Sequence, residues 1–559
     1  MAIIPAFVQS VVEAHLKTLL YWFSQEMYQR LLGRAQRNFL VQLQEHLDFG
    51  PLERACADYH HCSGPGAPVV HSVSRLVRAL VVKFLLNLSL RDLEHEIRWN
   101  LLVKWFVGYA VFETGPDHAT LERFEQWVCE QQQRTFFDEV LAQIDQAFPE
   151  ERHKAQIGDT YALRANAAAE GLIRLIRHAC QRLLTELGEV DGAGLVKVAS
   201  QLDQEALFGA EDEVKEYRLE RAERSQRLQQ TVMAAVHCQE LIRAPWAKDL
   251  AALAREQPEV ASWLALLDKI LADEVQIILN EQGQITQVQE LPKKKKGTYR
   301  IGSATDPEAT YRVHGDQMDF GYNVGVVTTG TFIREIEVNT GCQPDAMGIA
   351  GLLTAQQEHH DLIPEKFIYD KAAGTGKWHA EVAKATGNQT QLVAPLVAYD
   401  ERTERFGPDD FALSPDGLRL TCPHGQVTDK VYRSQDSDGY NFRFFGHQCQ
   451  DCPLASKCRG DKPPADHLRQ VFISDYRSVL ALARTYAQTA DFLADLKLRA
   501  LIERIIANLV RYHDGRYAQR RGQSNCDYQA KMNAMAFNLR QWMRELDKRS
   551  RMSPAASSA

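Results

Sequence analysis

The chain has 559 residues, 45% of them apolar and 25% charged, with a formal net charge of −8. That length can bury more than one core, so several structural units are expected, and both fractions are ordinary for a globular protein. The charge argues against a uniformly basic nucleic-acid binder, but it hides a gradient. Between residues 497 and 552, thirteen Arg and Lys stand against five Asp and Glu. A local basic field of this kind serves phosphate binding, and it equally fits a solvated helical face. The most apolar stretch, residues 76–90, is too short to span a membrane and is broken by Arg78 and Lys83. Residues 1–21 lack the basic leader and cleavage site of a signal peptide. Eleven cysteines, an odd number without an export signal, favour a reducing compartment with free buried thiols.

In chain order, residues 1–65 read as helical up to the break Gly64-Pro65-Gly66-Ala67-Pro68. Helical periodicity resumes over 72–109, through Leu76, Leu80, Val81, Phe84 and Leu85. Ser89 is placed to cap a helix carrying Leu93, Ile97 and Leu101. Residues 116–121 form a turn into a helix with Phe124 and Trp127 on its apolar side. Short helices with tight connections fit a DNA-binding module and a helical support alike. Residues 153–163 read as a strand ending near Asp159. Residues 167–290 then read as an almost wholly helical insertion, and the four lysines at 293–296 as an exposed basic linker. From residue 318 the period becomes two, with a hairpin over 320–328 and 332–338. A helix (346–357), a strand (366–370), a helix (377–386) and a strand (389–396) follow, which together make a mixed α/β layer. Residues 400–475 are loop-rich, 476–513 helical, and 528–546 one last helix.

Three carboxylates stand out in that order. Asp159 in Ile157-Gly158-Asp159-Thr160 and Asp370 in Phe367-Ile368-Tyr369-Asp370 each close an apolar strand, where open α/β sheets place reactive groups. On a helical wheel Glu503 shares with Arg499 the edge of the stripe Leu498, Leu501, Ile502, Ile505 and Leu509. Three such acids can hold two hard divalent cations, which suit in-line attack on a phosphodiester. Each acid alone has an ordinary alternative, a turn amide to accept from or an arginine to pair with. The segment 400–475 adds Cys422, Cys449, Cys452 and Cys458. One CxxC pair with two outlying cysteines can make a tetrahedral structural zinc site, and Asp438-Gly439 is a hairpin signal that folds the spacer back. His424 and His447 are substitute ligands. Cys180 and Cys342 read as buried small apolar residues, and the Cys56, His60, His61, Cys62 spacing as coincidence.

Taken together, the chain resembles bacterial insertion-sequence transposases with a DDE triad on an RNase H-like fold. The matching stretches are Gly158-Asp159-Thr160 with Arg164-Ala165-Asn166-Ala167, Thr305-Asp306-Pro307-Glu308-Ala309, Phe320-Gly321-Tyr322-Asn323-Val324 and Tyr369-Asp370-Lys371-Ala372. They continue in the run from Leu498 through Glu503 to His513, and in Arg520-Arg521-Gly522. Upstream, Ser89-Leu90-Arg91-Asp92-Leu93 and the run from Pro116 to Phe124 resemble the helical N-terminal domain of that group.

The resemblance implies an α/β fold: an RNase H-like mixed sheet flanked by helices. The implied units are a helical N-terminal DNA-binding domain (1–150), a catalytic domain (151–168, 297–399 and 476–548), a helical insertion (169–296) and a small cysteine-rich, zinc-ribbon-like insertion (400–475). Asp159, Asp370 and Glu503 would hold two Mg²⁺ or Mn²⁺ ions. Arg499 would lie near the phosphate, and Arg511, Arg516, Arg520 and Arg521 would follow the DNA backbone. The implied function is cleavage and strand transfer at terminal inverted repeats of double-stranded DNA. A homodimer in the synaptic complex, a cytoplasmic, nucleoid-associated location and no membrane contact go with it. A transposase-derived DNA-binding protein without catalysis and a stand-alone RNase H-like nuclease are the alternatives. The chain departs from the Tyr–Arg–Glu–Lys signature of some relatives, with Leu496 and Val510 at the outer places, and has Ala373 where many carry an aromatic residue.

Overall fold

A computed structural model describes residues 6–60, 69–210, 212–396, 405–435, 437–459 and 469–552. Helices fill the first quarter of the chain: α1 (Ala6–Ala35), α2 (Phe39–His46), α3 (Gly50–Ala55), α4 (Val73–Leu86), α5 (Leu90–Trp99), α6 (Leu101–Val107), α7 (His118–Gln131) and α8 (Thr135–Ala147). Their starts are written locally. Ser89 accepts the Asp92 N–H, Asn100 those of Leu102 and Val103, and Asp117 that of Thr120, so each satisfies an orphan donor of a first turn. The expected stripe of α4 is buried, and Lys83 goes in with it, 2.6 Å from Glu125 of α7. His61 and Cys62 lie outside the described residues.

β1 (Gln156–Arg164) follows, then α9 (Leu172–Val190), α10 (Gly192–Ala199), α11 (Gln204–Phe208), α12 (Arg221–Arg243), α13 (Leu250–Glu256) and α14 (Pro258–Glu274). This stretch is not wholly helical, contrary to expectation. An antiparallel hairpin of β2 (Val275–Leu279) and β3 (Ile285–Glu290) closes it, turning at Gly283 with φ 78°. The lysine run is also not uniformly exposed. Lys296 is buried between Glu274 and Glu290, at 2.6 and 2.7 Å. Ile176, Leu183, Val232, Cys238, Leu264 and Leu267 pack into a core belonging to this segment.

The sheet then completes with β4 (Thr310–His314), β5 (Gln317–Thr328), β6 (Ile333–Thr340), α15 (Ile349–His360), β7 (Lys366–Ile368), α16 (Gly376–Ala385) and β8 (Gln391–Val393). Its order is β8–β7–β1–β5, with β6 and β4 sharing the far edge of β5. β1, β7 and β8 run parallel, and β1 to β5 antiparallel. The sequence missed β4 and overextended β7 and β8, which are three residues each.

The cysteine-rich segment holds two three-stranded sheets. β9 (Ala412–Leu413), β10 (Leu420–Thr421) and β11 (Val427–Thr428) make the first. β12 (Val431–Arg433), β13 (Gly439–Phe444) and β14 (Arg469–Ser474) make the second, with α17 (Gly446–Cys449) and α18 (Ala455–Cys458) between them. The chain returns through α19 (Arg477–Ala487), α20 (Ala490–Lys497), α21 (Arg499–Tyr512) and α22 (Gln523–Met552). The helix expected over 476–513 is three, because Thr489 starts α20 as an N-cap and the chain turns again at Leu498.

One apolar cluster runs from Leu43, Leu80, Phe106 and Leu141 through Ile157, Val324 and Ile336 to Met535 and Leu539. Helices α2 to α8 and the sheet therefore share a core, with no gap near residue 150. α22 lies against α4, α8 and β6 and joins them. Fully buried Arg334 of β6 ties to Asp145 of α8 at 2.5 and 2.8 Å.

Candidate active site

The two aspartate motifs meet through strand register. β1 and β7 are parallel neighbours with Gln156 opposite Phe367 and Ile157 opposite Ile368. The pairing stops there, two residues short of Asp159 and Asp370, and Asp370 lies near enough to Asp159 to disfavour its charge. The sequence motifs touch as well. A Cβ on Gly158 would stand 2.5 Å from the Phe367 ring and 2.9 Å from that of Tyr369, so only glycine fits before Asp159. Asp159 is not at a strand end, as the sequence implied. It sits in the middle of β1, which runs on to Arg164 because β5 pairs with it along that length. Asp370 does follow a strand end, and its carboxylate accepts the Ala372 N–H at 2.9 Å. A Cβ on Gly374 would lie 1.9 Å from the Pro395 carbonyl oxygen, which fixes the turn behind it.

Burial pushes the Asp159 carboxyl above the usual range. The Thr160 N–H and Arg499 pull it down, and Asp370 and Asp345 push it up again. Its Oδ1 accepts the Thr160 N–H at 2.8 Å, and its Oδ2 lies 3.7 Å from Nη2 of Arg499. Arg499 opens α21, which packs on β1 and β5 through Ile502, Ile505 and Leu509. Its Nε is buried with no hydrogen-bond partner among the described residues. Glu503 lies one turn on and is exposed, whereas the wheel set it at the stripe's edge with Arg499. Among the described residues, no group of three or more His, Cys, Asp or Glu is arranged to hold a metal ion.

Sequence reasoning missed Asp345. Its Oδ1 accepts from Nη2 of Arg312 at 3.1 Å and Nδ2 of Asn323 at 2.9 Å, and Arg312 also donates to the Thr160 hydroxyl at 3.1 Å. Burial raises this carboxyl, but bonds from Thr160, Arg312 and Asn323 leave it below the usual range. Tyr369 donates to the Asp345 carbonyl at 2.9 Å, so the network touches both aspartate motifs. Nothing local marks Asp345, since its partners come from β1, β4, β5 and the end of β7.

The four expected arginines beyond Arg499 are placed differently from one another. Arg511 is exposed near the end of α21. Arg516 points at the Ala162 carbonyl at 3.4 Å, and Arg521 donates to the Asn166 carbonyl at 3.0 Å. Arg520 is turned inward, bonded to Gln126 and 3.7 Å from buried Glu125. In the cysteine-rich segment, the Cys449 thiol is pushed up to about 11 by burial, with Cys458, Cys422 and Cys452 adding to it. Cys449, Cys422 and Cys458 pack on a small core of Phe411, Leu420, Phe442 and Phe444, and Cys452 lies outside it. Cys180 is buried, while Cys342 is only partly so.

Among known families, residues 29–127 match a transposase domain (DUF772) and residues 421–543 match a transposase DDE domain. The second match covers the four cysteines, Arg499 and Glu503, but neither aspartate. No curated protein and no solved structure matches the chain. Among the described residues, no helix is long and apolar enough to cross a membrane. The chain is thus similar to transposases in two separate stretches, a transposase domain in its N-terminal part and a DDE domain in its C-terminal part.

Proposed function

We propose that this chain cuts and joins DNA at the ends of an insertion sequence, with Asp159, Asp370 and Glu503 as its DDE triad. The observation that carries this reading is the β1–β7 pairing, which brings the strand of Asp159 next to the strand that Asp370 follows, both aspartates partly buried. The strand order supports an RNase H-like reading: a three-strand antiparallel meander (β1, β5, β6) with two parallel strands added beside β1. The donor set fits hard divalent cations. Asp370 and Asp345 disfavour the charged form of Asp159, and Arg499 is the cation beside it. Two Mg²⁺ or Mn²⁺ ions there would activate a water or DNA 3′-hydroxyl and stabilise the leaving oxygen. Glu503, on the turn after Arg499, would complete the set when DNA is bound. Arg499 would then release Asp159 and turn to the phosphate, and Arg511 would meet the duplex backbone. Arg516 and Arg521 flank the end of β1 and serve the same backbone. A homodimer would hold both element ends.

The experiment is a cleavage and joining assay on DNA carrying the element's ends, with Mg²⁺. Cut and joined products are expected from the native chain. Asp159→Asn, Asp370→Asn and Glu503→Gln should each bind DNA without cutting it. Native-like cutting by any one of them would remove that residue from the triad, and cutting without joining would leave a nuclease.

The influence of Cys458, Cys422 and Cys452 on the Cys449 thiol supports a structural zinc that these four would close around, with no role in catalysis because four thiolates leave no open position. Elemental analysis should find one zinc per chain, lost in Cys452→Ser. A zinc-free native chain from zinc-supplemented growth would refute this.

A further inference from the structure

α1 is 30 residues long, and one side of it meets the body. Ser24 and Tyr28 are buried there. The Tyr28 hydroxyl donates to the Tyr109 carbonyl at 2.7 Å, and Tyr21 donates to Glu113 at 2.8 Å. The other side shows Leu16 (55% exposed), Leu19 (62%), Leu20 (36%), Trp22 (61%), Phe23 (51%) and Met27 (37%). At 100° per residue Leu16, Leu19, Leu20, Phe23 and Met27 lie within about 100° of one another over about three turns, with Trp22 about 60° beyond Leu19. Phe112, edge-on to Tyr21 at 5.0 Å and 40% exposed, carries the apolar surface from the helix onto the body. Scattered apolar residues on a surface are ordinary, but a contiguous stripe with a Trp and a Phe at its middle marks a contact surface.

We infer that this stripe seats a second copy of the chain, α1 against α1 across a two-fold axis. Area supports it. At roughly 200 Å² for a fully exposed large side chain, the six amount to roughly 600 Å² per copy, hence roughly 1,200 Å² for a pair, the lower bound of a stable interface. Spacing supports it too. Leu16, Leu20, Phe23 and Met27 alternate steps of four and three, the seam through which two helices interdigitate. A stripe of this kind is its own complement, as a two-fold contact requires. A membrane surface fits less well, because residues 15–28 carry one lysine and one glutamate and lack the cationic face of an interfacial helix. The pairing would join two catalytic units, a purpose that rests on the proposed function. The contact itself is measured without DNA.

The test is sedimentation and light scattering of the full chain without DNA over micromolar concentrations. The native chain should be a dimer, and Trp22→Glu/Phe23→Glu a monomer with unchanged circular dichroism and melting. Differently tagged Phe23→Glu and Phe23→Lys chains should each weaken their own pairing at least tenfold and co-purify when mixed. A native monomer, a charged double variant that still pairs, or Glu and Lys chains that stay apart would overturn the proposal. So would a native monomer that floats with anionic phospholipid vesicles, which would make the occupant a membrane. A dimer without DNA cleavage would retire the transposase reading and leave this contact standing.

Discussion

The N-terminal helices and the helical insertion are both all-helical through most of their length, yet they relate to the sheet in opposite ways. Helices α2 to α8 add their apolar side chains to the core that holds β1, β5 and β6. The insertion leaves the chain just after β1 and returns before β4, closed around a core of its own. The difference shows that a helical segment's place in the chain does not decide whether it is structural to the site; the sharing of a core does.

The largest effect tests what the shared core is for. Asp370→Asn should lower cleavage by about 10⁴-fold while DNA binding in a mobility-shift assay and thermal melting stay as in the native chain. A melting loss would mean that the residue supports the fold instead. Next, Phe332→Ala empties a fully buried place beside Phe148, whose ring centroid lies 5.4 Å away. It should cost about 3–5 kcal/mol, and helices and sheet should unfold in one transition, followed by calorimetry. Leu183→Ala, in the insertion's core, should cost about 2–5 kcal/mol in a separate transition and leave cleavage intact at temperatures below it. A single transition in both variants would erase the contrast between the regions.

A smaller effect concerns Arg520, which joins the end of the chain to Glu125 and Gln126 in α7. Arg520→Ala should cost about 1–3 kcal/mol in chemical denaturation, whereas exposed Arg511→Ala should cost nothing measurable and weaken DNA binding. The smallest effect is a pH dependence. The Asp159 carboxyl is raised, so its contribution is present at low pH and is lost as pH rises through its folded value. Asp159→Asn should therefore match the native chain below about pH 4 and melt on the order of 1 °C higher at pH 7. A variant that melts lower at pH 7 would show that the Arg499 pair outweighs the burial.

Much of this was legible in the sequence where the signal is local. Ser89 capped its helix as read, the β5–β6 hairpin formed at residues 329–331, and Asp159 and Asp370 fall on adjoining strands. The misses are non-local. β4 is a five-residue edge strand whose pairing is set by β5, and the β2–β3 hairpin is mostly exposed, so neither has a strong apolar alternation. Asp345 joins the site through bonds to four separate segments, which no spacing rule can reveal. Arg520 looked like its exposed neighbours because a charge count does not see Glu125 buried nearly four hundred residues upstream.

The position of α22 has a consequence for synthesis. Met535 and Leu539 complete a core whose other walls emerge from the ribosome hundreds of residues earlier. Until α22 is made, the nascent helices and sheet present unfinished apolar surface, so chaperone occupancy is expected to persist until that helix emerges. A message cut short before α22 would yield an aggregating product, tying the whole sheet to the synthesis of a helix far downstream of it.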